Sequence, residues 1–172
     1  MAGIEIRPLT ASPQVRDMLA EILVETVAGG GSVSFMHPLD PSAARAFWEA
    51  SLAAADRGER VVLGAWDGEA LAGTVTLLLD LPQNQPHRAD IAKMMTRPSH
   101  RGRGAASALI AEAERAARAR GRTMLVLDTA VIDGAAGFYE RAGFTLAGTI
   151  PDFALTPDGR LTGTSYYWKR LA

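Results

Sequence analysis

The sequence predicts one α+β domain. Apolar residues alternate in several short runs of strand length, and they recur at three- and four-residue spacing in separate longer segments. The resulting order is strand, helix, helix, three strands, helix, strand, helix, two strands. It has no fixed-period repeat and no linker rich in Gly, Ser or Pro, so residues 1–172 read as a single domain.

Gly3 to Pro8 alternates apolar and charged residues and ends as a strand at the proline. Ser12-Pro13 is a helix start, with a capping hydroxyl followed by proline at the first helical position. Val15, Met18, Leu19, Ile22, Leu23 and Val27 then trace an amphipathic helix to about Ala28, stopped by Gly29–Gly31. A loop through Ser34-Phe35-Met36-His37-Pro38 leads to a second helix capped near Asp40 or Ser42. Ala46, Phe47, Ala50, Leu52 and Ala53 are its expected inner face. Asp67-Gly68 between two apolar runs predicts a tight hairpin.

Pro82–His87 is a polar loop, and Arg88–Thr96 a fourth strand. Arg101–Gly104 is a turn opening into a helix from Ala105 to Arg120, with Leu109, Ile110, Ala113 and Ala117 inward. Thr123–Leu127 is unbroken and apolar, as expected of a strand buried on both faces. A short helix runs from about Asp133 to Ala142. Two strands, Phe144–Ile150 and Gly163–Leu171, are joined across Pro157-Asp158-Gly159. Strand, helix, strand over 88–128 implies a right-handed crossover and a parallel pair within a mixed sheet.

Composition narrows the function. The chain is 48% hydrophobic and 22% charged, an ordinary globular mix. It has no cysteine, which excludes disulfides, thiolate metal sites and cysteine nucleophiles. His37, His87 and His100 are too scattered in sequence to suggest a metal site. A net charge of -1 gives no global attraction to nucleic acid. No apolar run is long enough for a membrane span and the N-terminus lacks a signal pattern, so a cytoplasmic protein with no membrane partner is expected. Charge is nevertheless uneven. Seven arginines against two acids between Arg97 and Arg122 make a local excess that invites an anionic ligand.

The segment Met94–Ile110 carries the chemistry. A strand runs into a turn holding Gly102 and Gly104, and the turn opens directly into a helix. Unpaired amides at a helix N-terminus bind phosphate, glycines let the backbone approach the anion, and Arg101 and Arg103 add charge. The dinucleotide fingerprint fails because its third glycine position is Ser107, and there is no Gly-Lys-Ser/Thr of a nucleotide P-loop. R-G-R-G-A-A fits [QR]-x-x-G-x-[GA], the pyrophosphate signature of the GNAT acetyltransferases. Gly137–Phe144, with Tyr139 followed by A-G-F, resembles the second signature of that family. S-V-S-F-M-H-P-L, H-R-A-D-I-A-K-M-M, L-D-T and I-P-D-F-A-L-T-P-D-G are similar to the branch containing the tabtoxin-resistance acetyltransferase.

The resemblance implies a GNAT-like mixed, mostly antiparallel sheet flanked by helices, with its central parallel strands splayed apart. It implies acetyl-CoA as co-substrate, its pantetheine arm lying between the splayed strands. Met94 and Thr96, with Met95 between them, would bond that arm through their backbone. Arg101, Gly102, Arg103, Gly104, Ala105, Ala106 and Ser107 would hold the pyrophosphate. Asp133 stands where many relatives have an Asn that contacts the cofactor, though six residues before Tyr139 rather than the commoner seven. Tyr139 matches the family tyrosine that donates to the CoA sulfur, and a backbone N–H near Met95 would polarise the carbonyl.

An amine attacking a thioester must lose a proton, and Asp90 and Asp128 are the candidate bases. Either would act with a raised pKa, through a water chain, or as the electrostatic anchor of the cationic amine. The implied reaction is N-acetylation of a small primary amine, such as an amino-acid-like toxin or antibiotic, by direct attack in a ternary complex. Two other readings are protein N-terminal or lysine acetylation, and a non-catalytic acyl-CoA-binding regulatory module.

Each residue also has a plainer reading. Asp128 could be a turn or cap residue, and Asp90 could pair with Arg88 and Lys93. Tyr139 could be a surface helix residue, and Lys93 a snorkelling strand lysine. His37 lies in the loop where the family binds its acceptor, and a histidine before proline is also an ordinary loop residue. His100 is expected beside the arginines of the phosphate turn. The arginines after Arg103 are either solvated surface or contacts for the CoA 3′-phosphate. The C-terminal strand S-Y-Y-W-K-R-L offers a pairing edge for a homodimer.

Overall fold

The computed structural model describes residues 3–172. Seven strands form one mixed sheet: β1 (Glu5–Pro8), β2 (Arg60–Asp67), β3 (Ala70–Leu78), β4 (Arg88–Thr96), β5 (Met124–Ala130), β6 (Thr145–Leu155) and β7 (Leu161–Arg170). Their spatial order is β1-β2-β3-β4-β5-β7-β6. Only β4 and β5 run parallel; the other neighbours are antiparallel.

The helices begin where local chemistry tells them to. In α1 (Pro13–Ala28) the Ser12 hydroxyl accepts from the Val15 amide at 3.1 Å, and proline occupies the first turn. In α2 (Pro41–Asp56) Asp40 is the cap, accepting from the Ser42 amide at 2.7 Å. α3 (Ala105–Arg118) packs Leu109, Ile110, Ala113 and Ala117 onto one sheet face, against Val75, Leu77, Ile91, Leu125 and Leu127. α4 (Ala136–Arg141) joins the same core through Tyr139. The opposite face is covered by α1 and α2, through Leu19, Leu23, Trp48 and Leu52 against Val62, Leu71 and Met95. Burying each such Leu or Val contributes about 1.5–3 kcal/mol.

Several expectations change. The inner face of α2 is Ala44, Trp48, Ser51, Leu52 and Ala54; of the predicted set only Leu52 is fully inside. Trp48, with no exposed surface, sets the helix phase and rotates Ala46, Ala50 and Ala53 outward. β5 is not buried on both faces: Leu125 and Leu127 point into the α3 core, while Met124 and Val126 on the other face are only half-buried and Asp128 is exposed. β6 runs five residues past Ile150, through Pro151 and a register shift between Ile150 and Ala154. A proline is tolerated there because β6 is an edge strand. For the same reason the proposed pairing edge moves. The C-terminal strand β7 lies between β5 and β6, and the free edge belongs to β6. No helix among the described residues is long and apolar enough to cross a membrane.

Two irregularities in the middle of the sheet make the site. The parallel ladder between β4 and β5 stops at Asp90–Val126, beyond which the strands part. In β4, Thr76 faces Ala92 and Thr74 faces Met95, so Lys93 and Met94 together oppose one residue of β3. This β-bulge puts Lys93 at φ 50, a left-handed conformation seldom taken by a non-glycine residue. It also inverts the alternation: Ile91 enters the α3 core, whereas Met95 enters the α1–α2 core. Gly73 permits the close approach of β3 here, since a Cβ on it would stand 2.6 Å from the Met95 carbonyl oxygen.

Candidate active site

A cavity of about 720 Å³ opens where β4 and β5 diverge, within the size range of small-ligand sites. Its walls come from the loop after α1, the bulged half of β4, the end of β5, the segment before α4 and the β6–β7 turn. Of the residues expected from sequence, Met94, Met95, Thr96, Arg101, Asp128, Asp133 and Tyr139 line it. Gly102 to Ser107 do not line the void itself; they form the turn and first helical turn that follow Arg101. Asp90 is also absent from the walls. It sits one step back, with Oδ1 3.1 Å from the Arg88 guanidinium but not aligned for a hydrogen bond.

The two ends of the cavity differ in chemistry. Past Asp90, the edge of β4 that faces β5 has no ladder partner, leaving peptide N–H and C=O groups facing the cleft. Such an edge accepts an extended, amide-bearing chain as an added strand. Beyond it the N-cap of α3 is Gly104 at φ 84, with no side chain capping the helix. The first intrahelical bond runs from the Ala108 amide to the Gly104 carbonyl, 3.0 Å, so the amides ahead of it have no intrahelical acceptor. A peptide-like arm followed by phosphates therefore fits the residues present.

The arginine cluster is mostly consumed internally. Arg103 is held by Asp67 at 2.8 Å, and the same carboxylate lies 3.5 Å from His100. Arg97 reaches back to Glu21 on α1, at 3.0 Å. Arg115 pairs with Glu112, and Arg118 bonds the Ala172 backbone carbonyl at 3.0 Å. Arg120 and Arg122 donate to backbone carbonyls. Arg101 lines the cavity and has no carboxylate within ion-pair distance among the described residues.

At the other end the polar groups reach the cleft from both sheet faces. Tyr139 comes from the α3–α4 side and is only 6% exposed. Burial, reinforced by the charges of Asp128 and Asp133, pushes its phenol up to about 12. Asp128 lies on the other face, since Leu127 beside it points into the α3 core. Burial raises the Asp90 carboxyl, with Arg88 opposing and Asp128 adding to the shift. Burial likewise raises Asp133, opposed by a bond from the Ser32 amide at 3.4 Å. That bond ties the loop after α1 to the segment before α4. The same loop is tied to the β6–β7 turn by the His37 amide, which donates to the Pro157 carbonyl at 2.9 Å.

Sequence reasoning gave Lys93 no role in the site, yet Lys93 lines the cavity. Its ammonium donates to Ser34 Oγ at 3.2 Å and lies 5.9 and 5.6 Å from the Phe35 and Phe47 ring centroids. The available signal was compositional: it is one of two lysines in a chain that otherwise uses arginine. Arg160, also in the wall, is paired with Asp158 at 2.8 Å. Among the described residues no group of three His, Asp or Glu side chains could hold a metal ion.

A match to the acetyltransferase (GNAT) family spans residues 20–144. The chain belongs to that family. The fold agrees along its whole length. An N-acetyltransferase from Staphylococcus aureus Mu50 superposes with a TM-score of 0.82 at 18% identity, covering 99% of this chain and all of that one. A GNAT superfamily phosphinothricin acetyltransferase from Sinorhizobium meliloti, in complex with AcCoA, gives 0.81 at 18% identity, covering 99% of this chain and 90% of that one. A ribosomal-protein-alanine N-acetyltransferase from Brucella melitensis gives 0.78 at 19% identity over 97% and 99% of the two chains. This acetyltransferase family member thus shares its overall fold with those proteins over nearly its full length.

Proposed function

We propose that this chain transfers the acetyl group of acetyl-CoA to the primary amine of a small, amino-acid-like molecule, by direct attack in a ternary complex. Acetyl-CoA supplies the activated acyl group as a thioester. The backbone edge of Met94–Thr96 binds its amide-bearing arm, while Arg101 and the amides of Gly102 to Ser107 hold its phosphates. The acceptor enters between the loop after α1 and the β6–β7 turn.

In the transfer a C–N bond forms and the C–S bond breaks, so one proton must leave the amine and one must reach the sulfur. Asp128 faces the cavity and anchors the ammonium, taking its proton directly or through water. Tyr139, protonated across the physiological range, donates to the departing thiolate. Asp90 does not reach the cavity wall and acts through its charge on that side of the sheet. Asp133 lines the cavity and also braces the loop after α1 through Ser32.

A single observation supports a small acceptor over a peptide. The loop after α1 is bonded both to the β6–β7 turn and to the segment before α4, which narrows the acceptor side and favours a small molecule. The test is thiol release from acetyl-CoA against amino acids, polyamines, aminoglycosides and short peptides, with acetyl-CoA binding followed by thermal shift. Turnover confined to small amines, and lowered about 100-fold or more by Tyr139→Phe with acetyl-CoA binding retained, supports the proposal. Turnover of peptides alone transfers the chain to the protein-modifying class. Binding without any turnover makes it a regulatory module.

A further inference from the structure

Lys93 is a cation placed in the cavity wall with no carboxylate in contact with it. No carboxylate lies within ion-pair distance of it among the described residues; its direct polar contact is the Ser34 hydroxyl at 3.2 Å. Of the other cavity cations, Arg160 is held by Asp158 at 2.8 Å, and Arg101 belongs to the turn before α3, where the phosphates are placed. Burial lowers the Lys93 pKa, and the charge of Asp128 only partly offsets this. A half-buried ammonium facing one hydroxyl and two aromatic rings has lost hydration that those partners do not fully replace. The ligand that completes such a site is an anion.

The side chain is also preorganised. A snorkelling lysine runs along a surface to reach water. This one departs from a bulge with φ 50 and is aimed at Ser34, itself at φ 72, between Phe35 and Phe47. Strained backbone of this kind persists where the surrounding structure over-determines it. Asp128 and Asp133 bring negative charge to the same cavity, so its polar lining has both signs.

We propose that Lys93, steadied by Ser34, is a subsite for the carboxylate of a zwitterionic acceptor, so that the cavity selects amines bearing an adjacent anionic group over simple amines and peptides. The carboxylate binds the Lys93 ammonium while the acceptor's amino group lies on the Asp128 side. The inference rests on the acetyl-transfer reading above and deepens it. Lys93 takes no part in bond making; it decides which amines stay long enough to react.

The test compares kcat/KM, with acetyl-CoA, for a panel of L-amino acids and their matching carboxamides in the native protein, Lys93→Met and Lys93→Arg. The intrinsic reactivities of the two amines cancel when their ratio is compared between variants. The native protein is expected to favour the carboxylates. Lys93→Met should lower kcat/KM for the carboxylates by roughly 10- to 100-fold, mainly through KM, and change the carboxamides by no more than about 3-fold. Lys93→Arg should recover part of the preference. A carboxylate-to-carboxamide ratio that is the same in the native protein and in Lys93→Met overturns the inference while leaving acetyl transfer intact. Absence of both acetyl-CoA stabilisation and turnover on any amine overturns the acetyl-transfer reading and this inference with it.

Discussion

Asp67 Oδ2 lies 2.8 Å from Arg103 and so ties the β2–β3 turn to the turn that opens α3. The neighbouring Arg101 has no such partner among the described residues and lines the cavity. Two arginines that look equivalent in R-G-R-G thus have different work. One charge is already matched, and the other is available to an incoming phosphate.

Arg101→Ala is therefore expected to weaken acetyl-CoA binding by about 10-fold or more, the scale of one lost charge-assisted contact. Arg103→Ala should weaken it less and should lower thermal stability slightly through the loss of the Asp67 contact. Calorimetric titration of each variant with acetyl-CoA checks the order. A larger effect for Arg103 would mean that the Asp67 pair opens on binding.

Asp128 and Asp90 separate in the same way. Asp128 lines the cavity and Asp90 does not. Asp128→Asn should lower kcat/KM for the amine by about 100-fold, in the range of general-base effects. Asp90→Asn should retain most activity, because the half-buried carboxyl it replaces contacts Arg88 rather than the cavity. Steady-state kinetics on the acceptor found by the thiol-release panel decide between them, and equal losses would return Asp90 to the reacting centre.

Tyr139 predicts an alkaline signature. Its folded-state pKa is raised from 10.0 to about 12, so between those values the folded chain holds a proton that the unfolded chain releases. The stabilisation is complete below pH 10 and is lost as pH rises through 12, by about 3 kcal/mol in all. Tyr139→Phe should flatten the fall in stability across that window and remove the latest component of a tyrosinate absorbance titration. An unchanged titration would mean that the hydroxyl is more hydrated than its burial implies.

Gly73 carries a steric prediction. A methyl group there would meet the Met95 carbonyl oxygen at 2.6 Å, and relief requires β3 and β4 to separate beside the bulge. Gly73→Ala should cost about 1–3 kcal/mol by denaturant unfolding, as overpacking does. It should also weaken acetyl-CoA binding, because the displaced strand is the one whose free edge faces the cleft. Destabilisation with unaltered binding would show that the strand relaxes away from the cavity.

Much of this was legible in the sequence because it depends on local chemistry. Ser12 and Asp40 cap helices through their own side chains, and Asp67-Gly68 turns a hairpin through backbone conformations open to glycine. The spacing of Leu109, Ile110, Ala113 and Ala117 marks the buried face of α3. R-G-R-G-A-A marks a strand-to-helix turn and, through its resemblance, the family. Each of these signals lies within a few residues and needs no distant partner.

What required the tertiary structure is what two distant segments decide together. The phase of α2 is set by where the large Trp48 side chain fits against β2 and β3, not by the local pattern that favoured Ala46 and Ala50. Simple alternation along β4 would put Lys93 on the same face as Ile91; the bulge, possible because Gly73 lets β3 come close, turns Lys93 to Ser34 and the following residues to opposite cores. The parting of β4 from β5 after Asp90–Val126 exposes Asp128 and opens the cavity. A single strand's sequence specifies its own periodicity, but bulges, strand ends and unpaired edges are properties of a pair of strands, settled when their cores are packed.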